Sequence, residues 1–141
     1  QYKFLLGGHG FTQDEIGNMQ YQKNVPIPEW INLCCKTKIN IDVVRTSHSS
    51  VYGTSNGRKF EMGALGTCIV SSPHKGVEKW FKVGKEIIIV ENKDETLEIY
   101  DQLLNDDPMR EEIGINMRNR ILKDHTYKIR AEKLIKIIRN L

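Results

Sequence analysis

Short apolar runs alternate with stripes of helical period along the whole chain. Tyr2 to Leu6 is a β-type run, and Gly7-Gly8-His9-Gly10 stops it. The polar stretch Thr12 to Lys23 has room for a short helix before Val25, Pro26 and Pro28. Pro28 suits a first helical turn, where its missing N–H removes nothing, and Ile31, Cys34, Cys35 and Lys38 follow at helical spacing, which predicts a helix from about 28 to 36. Ile39-Asn40-Ile41-Asp42-Val43-Val44 is β-branched and mostly apolar, as expected of a strand buried within a sheet. It runs into thirteen residues rich in Ser, Thr, Gly and Asn, Arg45 to Gly57, too long for a plain connection. Arg58 to Leu65 then reads as a helix with Phe60 and Ala64 on one face and Gly66 as a left-handed stop.

Further along, Thr67 to Ser71 is a strand, Pro73 to Gly76 a turn, Val77 to Phe81 a short helical turn, and Glu86 to Val90 the last strand. Asp94 can cap a helix with Leu97, Tyr100, Leu103 and Leu104 on its apolar face; Asp107-Pro108 starts another, carrying Met109, Ile113 and Met117. Thr126 caps a last helix with Tyr127, Ala131, Leu134, Ile138 and Leu141 on one stripe and Glu132 and Lys136 four apart on the other face. Strands alternating with helices imply an α/β fold with a Rossmann-like, doubly wound, mainly parallel sheet.

Composition narrows the class. The 141 residues are 39% hydrophobic and 28% charged, the balance of one soluble globular domain rather than a disordered chain. The most apolar run, Ile87 to Val90, is far short of the roughly 20 residues that cross a bilayer, so no transmembrane segment is expected. Cys34, Cys35 and Cys68 cannot all pair and form no disulfide framework, which points to a reducing, cytoplasmic setting. The net charge of +3 conceals a separation: residues 78–117 carry 5 basic and 11 acidic groups, residues 118–141 carry 8 and 2. The basic end lies opposite an apolar stripe without interleaved aromatics, so it reads as a solvated helix face and not as a nucleic-acid arm. Opening on Gln1 within two residues of a strand suggests a piece of a longer protein.

In an open parallel sheet, ligands bind beyond the carboxyl ends of the strands, where loops enter helices. Two loops fit that position. Gly7 to Gly10 lets a ligand approach the backbone closely, although a plain turn explains it equally well. Ser55-Asn56-Gly57 leads into the helix at Arg58 and offers N–H groups at the positive end of a helix dipole, where a phosphate would be held. Arg58 adds a fork that grips two phosphate oxygens, and Glu61, one turn on, can accept both hydrogen bonds of a ribose diol. The competing reading makes Arg58 and Glu61 a surface ion pair and Asn56 only a cap. His48 and His74 lack a carboxylate at a suggestive spacing and read as exposed loop histidines. Adjacent cysteines do not grip one metal together, and no zinc spacing, Asp-x-Asp pair, phosphate-binding loop ending in Lys-Ser/Thr or nucleophile elbow is present, so no metal site is assigned.

The runs NGRKFEMGALGTCIVSS (Asn56 to Ser72), KGVEKWFKVGKEIIIV (Lys75 to Val90) and DHTYKIRAEKL (Asp124 to Leu134) together resemble the C-terminal half of GT-B glycosyltransferases, most closely the CgeB-like, group 1-type branch. The resemblance covers nearly the whole chain from Gly7 onward. It implies a nucleotide-sugar-binding lobe spanning residues 1–123, closed by a C-terminal helix (124–141) packed on the same domain, with an acceptor-binding lobe preceding Gln1. It implies that Glu61 holds the donor ribose and that Arg58 and the Ser55-Asn56-Gly57 backbone face the diphosphate. Gly7, Gly8, His9 and Gly10 would line the same cleft, and Gly76, Val77 and Glu78 would border the sugar or the opposite lobe. Many retaining relatives carry a second glutamate eight positions before the ribose-binding one; here that position is Gly53. The implied activity is transfer of a sugar from a UDP-, GDP- or TDP-linked donor without a metal or other cofactor, by the full-length protein and not by this piece alone. The alternatives are a non-catalytic nucleotide-binding module and a protein-interaction domain.

Overall fold

The computed structural model describes residues 2–8 and 10–141. The chain forms two compact units, Gln1–Leu33 and Cys34–Leu141. In the first unit, β1 (Leu5–Gly7) pairs in parallel with β2 (Gln20–Gln22), joined through α1 (Gln13–Ile16). Thr12 and Glu15 form a capping box that starts α1, each side chain accepting the other's backbone N–H. The Gln-Tyr-Gln strand has no apolar alternation, which is why the sequence pattern did not reveal it; only backbone pairing defines it. Then α2 (Ile27–Lys36) begins one residue before Pro28, and Gln22 donates to Glu29 at its first turn, 2.7 Å.

The second unit is built on a parallel three-stranded sheet in the order β3 (Asn40–Asp42), β4 (Ile69–Ser71), β5 (Ile88–Ile89). All three residues of the central strand β4 are buried, and Ile87 and Ile88 are buried beside it. The expectation for β3 requires correction. As the outer strand of this sheet it turns Asn40 and Asp42 inward and leaves Ile41 40% and Val43 68% exposed. The inward polar groups are satisfied: Asn40 donates to the Cys34 carbonyl (3.0 Å), and Asp42 has the partners described below. Hydrogen bonding, not hydrophobicity, decides which face of β3 is inside.

The long loop after β3 contains α3 (Thr46–Ser49) and leads to α4 (Gly57–Ala64), which stops at Gly66 with φ +78°, as its sequence predicts. A single 3₁₀ turn, Val77–Lys79, follows β4. The helices α5 (Lys93–Asn105), α6 (Asp107–Asp124) and α7 (Tyr127–Arg139) complete the chain. Asn92 caps α5 in place of Asp94, Asp106 caps α6 with Pro108 in its first turn, and Thr126 caps α7 as expected. No helix among the described residues is long and apolar enough to cross a membrane.

The core of this unit lies where α4 and α6 meet. Met62, Ile113, Met117 and Ile121 of these two helices are buried, as is Leu103 of α5, each contributing roughly 1.5–3 kcal/mol by leaving water. Two glycines set the approach. A Cβ at Gly63 would lie 2.6 Å from Ile121 and 2.9 Å from Met117, and one at Gly114 would lie 2.1 Å from the Gly66 carbonyl oxygen. By contrast α7 buries no residue, and Leu134, Ile138 and Leu141 of its apolar stripe are exposed.

All three cysteines are free; Cys34 and Cys68 are buried and Cys35 is exposed. Burial pushes the Cys34 and Cys68 thiols up to about 11, so the reactive thiolate is suppressed at both. A thiol reagent at neutral pH is expected to modify Cys35 alone in the folded protein and all three after denaturation, as read by mass spectrometry. Gly114→Ala must move backbone, and Gly63→Ala must displace the buried Met117 side chain from its Cγ outward as well as the tip of Ile121; each is expected to lower stability by about 1–3 kcal/mol, with Gly114→Ala the more costly, as urea unfolding measures.

Candidate functional site

The start of α4 sits at the carboxyl end of β3 because one side chain bridges the two. Asn56, the N-cap, accepts the Lys59 N–H on its side-chain oxygen (3.1 Å) and donates its amide to Asp42 (3.0 Å). Helix geometry leaves the N–H groups of Gly57 and Arg58 without an intrahelical acceptor, at the positive end of the dipole. Glu61 folds back over the same turn: its Oε1 lies 3.8 Å from where a Gly57 Cβ would stand. Arg58 and Glu61 are both exposed, and among the described residues neither forms an ion pair. The surface pair that spacing alone allowed is therefore not formed. The alternative reading of Asn56 as a cap does hold for its side chain. Ser55, just before the cap, has a buried hydroxyl with no hydrogen-bond partner among the described residues.

Beneath this turn lies a polar cluster that the sequence did not disclose. The Lys59 ammonium, fully buried, is 3.2 Å from the equally buried Asp42 carboxylate and 2.9 Å from His74 Nε2. Ser71 donates to Asp42 at 3.4 Å. His74 was expected to be an exposed loop residue; it is buried, with Nδ1 3.2 Å from the Ser72 carbonyl. A carbonyl only accepts, so Nδ1 carries the proton and Nε2 is free to accept from Lys59. Burial lowers the pKa of His74, and Lys59 lowers it further, against opposing pulls from the Ser72 carbonyl, Asp42 and Glu78. Burial also lowers Lys59, opposed by Asp42. Nothing in the spacing of Asp42, Lys59 and His74 signals the cluster; the polar positions inside an otherwise apolar strand, Asn40 and Asp42, were the one available hint.

The loops after β3 and β4 close on each other beside α4. Gly53 (φ +75°) donates to the Lys75 carbonyl at 2.9 Å, and Gly76 (φ +83°) packs so near that a Cβ there would lie 2.3 Å from the Gly53 nitrogen. The Trp80 indole N–H donates to the Gly53 carbonyl at 3.1 Å. Gly76 and Val77 are buried, so Val77 belongs to the core, while Glu78 is exposed and accepts a hydrogen bond from Tyr52, which raises the tyrosine's pKa. His48 is exposed. Gly7 is the last residue of β1, and Gly8 and Gly10 follow it with positive φ in the first unit; His9 lies outside the described residues. A groove of about 330 Å³ runs along the sheet between Ile41, Val43, Val90 and Tyr100 and does not include Arg58 or Glu61.

Several conspicuous motif residues hold structure. Glu86 accepts the Lys82 N–H (2.8 Å) and, on both of its oxygens, the single Nε–H of Arg120 (3.1 and 3.2 Å), and Arg120 Nη1 donates to Asp124 (2.9 Å). His125 donates from Nε2 to the Trp80 carbonyl (3.1 Å) and makes edge-to-face ring contacts with Phe60, Trp80 and Phe81. The Arg130 guanidinium lies 4.4 Å from the Phe60 ring centre and 5.2 Å from that of Trp80, which fastens the first turn of α7. Among the described residues no group of three or more His, Cys, Asp or Glu side chains could hold a metal ion.

Parallel strands with helices between them, and a candidate site at a helix start beyond a strand's carboxyl end, define a Rossmann-like α/β protein corresponding to the C-terminal half of a GT-B fold. Residues 1–136 match the family described as Glycosyl transferase-like, and the chain belongs to that family. Its fold is similar to that of TarM (TM-score 0.69, 19% identity, over 95% of this chain and 28% of TarM). It is also similar to HepE of Anabaena, solved in complex with UDP-glucose (TM-score 0.71, 12% identity, over 99% of this chain and 41% of HepE). The chain thus spans well under half the length of either structure. No curated protein matches it.

The His74 geometry makes stability depend on pH with a definite sign. The folded state holds this histidine neutral below its ordinary value of 6.5, while the unfolded chain takes up a proton there. Stability is therefore expected to fall as pH drops below about 6.5, with His74 contributing up to about 1.4 kcal/mol per pH unit. Urea unfolding between pH 7 and pH 5 should show a shallower loss in His74→Gln than in the parent.

Proposed function

We propose that this domain binds the nucleotide-sugar donor of a glycosyltransferase at the start of α4. The observation that carries the reading is the placement of Arg58, without an ion-pair partner among the described residues, and the folded-back Glu61 carboxylate on one helical turn with the N–H groups of Gly57 and Arg58, in a chain of the glycosyl transferase-like family. The diphosphate would lie against those N–H groups and Arg58, with the Ser55 and Asn56 backbone bordering it; Glu61 would accept the ribose hydroxyls. Glu78, on the loop that closes over Gly53 and Gly76, would border the sugar.

Breaking the bond between the anomeric carbon and the diphosphate builds negative charge on the leaving oxygens. Fixed N–H dipoles and a guanidinium already in place stabilise that charge as it forms, without reorganising at the moment of reaction. This arrangement supplies the positive charge from the chain itself, consistent with a metal-independent transfer. Acceptor binding and the base that deprotonates the acceptor would fall to a further lobe, since this chain accounts for only 28% and 41% of its structural neighbours. UDP-glucose, bound by HepE, is the first donor to test.

Calorimetric titration with UDP-, GDP- and TDP-sugars is expected to show binding of at least one. Glu61→Ala should weaken it about 10- to 100-fold, the range for hydrogen bonds to a charged group. Arg58→Ala should weaken diphosphate ligands much more than the free nucleoside. Equal loss for both would remove Arg58 from the phosphate site, and silence across the panel would leave an interaction domain.

A further inference from the structure

Burial of an ion pair seldom stabilises a fold more than apolar side chains of the same size would, because desolvation opposes the attraction. The Lys59–Asp42 pair, both side chains fully buried, is therefore not accounted for by stability alone. What this pair supplies and an apolar pair cannot is direction. Asp42 Oδ2 faces Lys59 and Ser71, which leaves Oδ1 for the Asn56 amide. An asparagine side chain can be turned either way round, and this contact settles which: with its nitrogen on Asp42, its oxygen must face the Lys59 N–H. Lys59 is in turn held by His74, whose proton is fixed on Nδ1 by the Ser72 carbonyl. The ends of β3 and β4, the loop after β4 and the cap of α4 are thus joined at one point.

We propose that Asp42, Lys59 and His74 are positioning residues for donor binding: they touch no ligand, and they fix the orientation of the Asn56 cap so that the Gly57 and Arg58 N–H groups stand ready for a diphosphate. The inference rests on the donor-binding reading above. A preset cap avoids ordering the helix start when the ligand arrives, so its loss weakens binding without unfolding the domain.

The test pairs a variant that removes both charges with one that cuts a single link. Asp42→Leu/Lys59→Met leaves no uncompensated ion, so its melting temperature is expected to stay at or above that of the parent. Asn56→Ser keeps a capping oxygen for the Lys59 N–H but loses the reach to Asp42, and it serves if the double variant does not fold. Each should bind UDP-glucose, or whichever panel sugar nucleotide the parent prefers, at least 10-fold more weakly, with the free nucleoside little affected. Parental affinity in a folded variant overturns the proposal. Amide hydrogen exchange without ligand separates the two claims. Faster exchange of the backbone N–H at position 59 in the double variant supports orientation by the cluster, and unchanged protection refutes it. A parent that binds no sugar nucleotide defeats the donor reading, and the assigned purpose of the cluster with it.

Discussion

The contact between the Lys59 ammonium and the Asp42 carboxylate, buried where α4 crosses the ends of β3 and β4, constrains much of what surrounds it. Neither charge tolerates the interior alone, so strand and helix must meet there. That requirement turns β3 over, placing Asn40 and Asp42 inside and Ile41 and Val43 outside, against the ordinary partition of apolar and polar side chains. With α4 held on the sheet, α6 packs over its other side through the bare backbone of Gly63 and Gly114.

Away from that contact, the conspicuous residues divide into those that hold the fold and those left at the surface. Glu86, His125 and Arg130 are engaged: Glu86 with Arg120, His125 with the Trp80 carbonyl, Arg130 with two aromatic rings. Trp80 carries that aromatic cluster to the Gly53 carbonyl, so the anchor of α7 and the loop preceding α4 share one side chain. Arg58 and Glu61, charged and without ion-pair partners among the described residues, stand apart from this pattern on the turn above the buried cluster. A rigid base below and free charges above is the arrangement that binding of a phosphate ester favours, because the groups that meet the ligand need little ordering.

Much of the fold was legible in the sequence because local chemistry forces it. Pro28, Thr126 and Gly66 mark helix ends through fixed backbone preferences, and the strand-helix alternation from residue 39 onward follows from period and β-branching. The family likeness was carried by ordered motifs across most of the chain, and the match over residues 1–136 shows it. What escaped was β2, whose Gln-Tyr-Gln has no pattern beyond its backbone pairing, and the fate of α7, whose amphipathic stripe announces a helix but not a surface to cover it.

The sequence by itself determined where helices start and stop, that the strands run in parallel through crossover connections, and that Arg58 and Glu61 lie one turn apart after a long polar loop rich in Ser and Thr. Those are consequences of interactions a few residues long. Only the tertiary structure decided that Lys59 and His74 are interior, that Asp42 orients the cap of α4, and that Gly53 and Gly76 touch. The desolvation of a charge and the clash of a missing Cβ depend on what comes near in space, and between residues 42, 59 and 74 no local rule records that proximity.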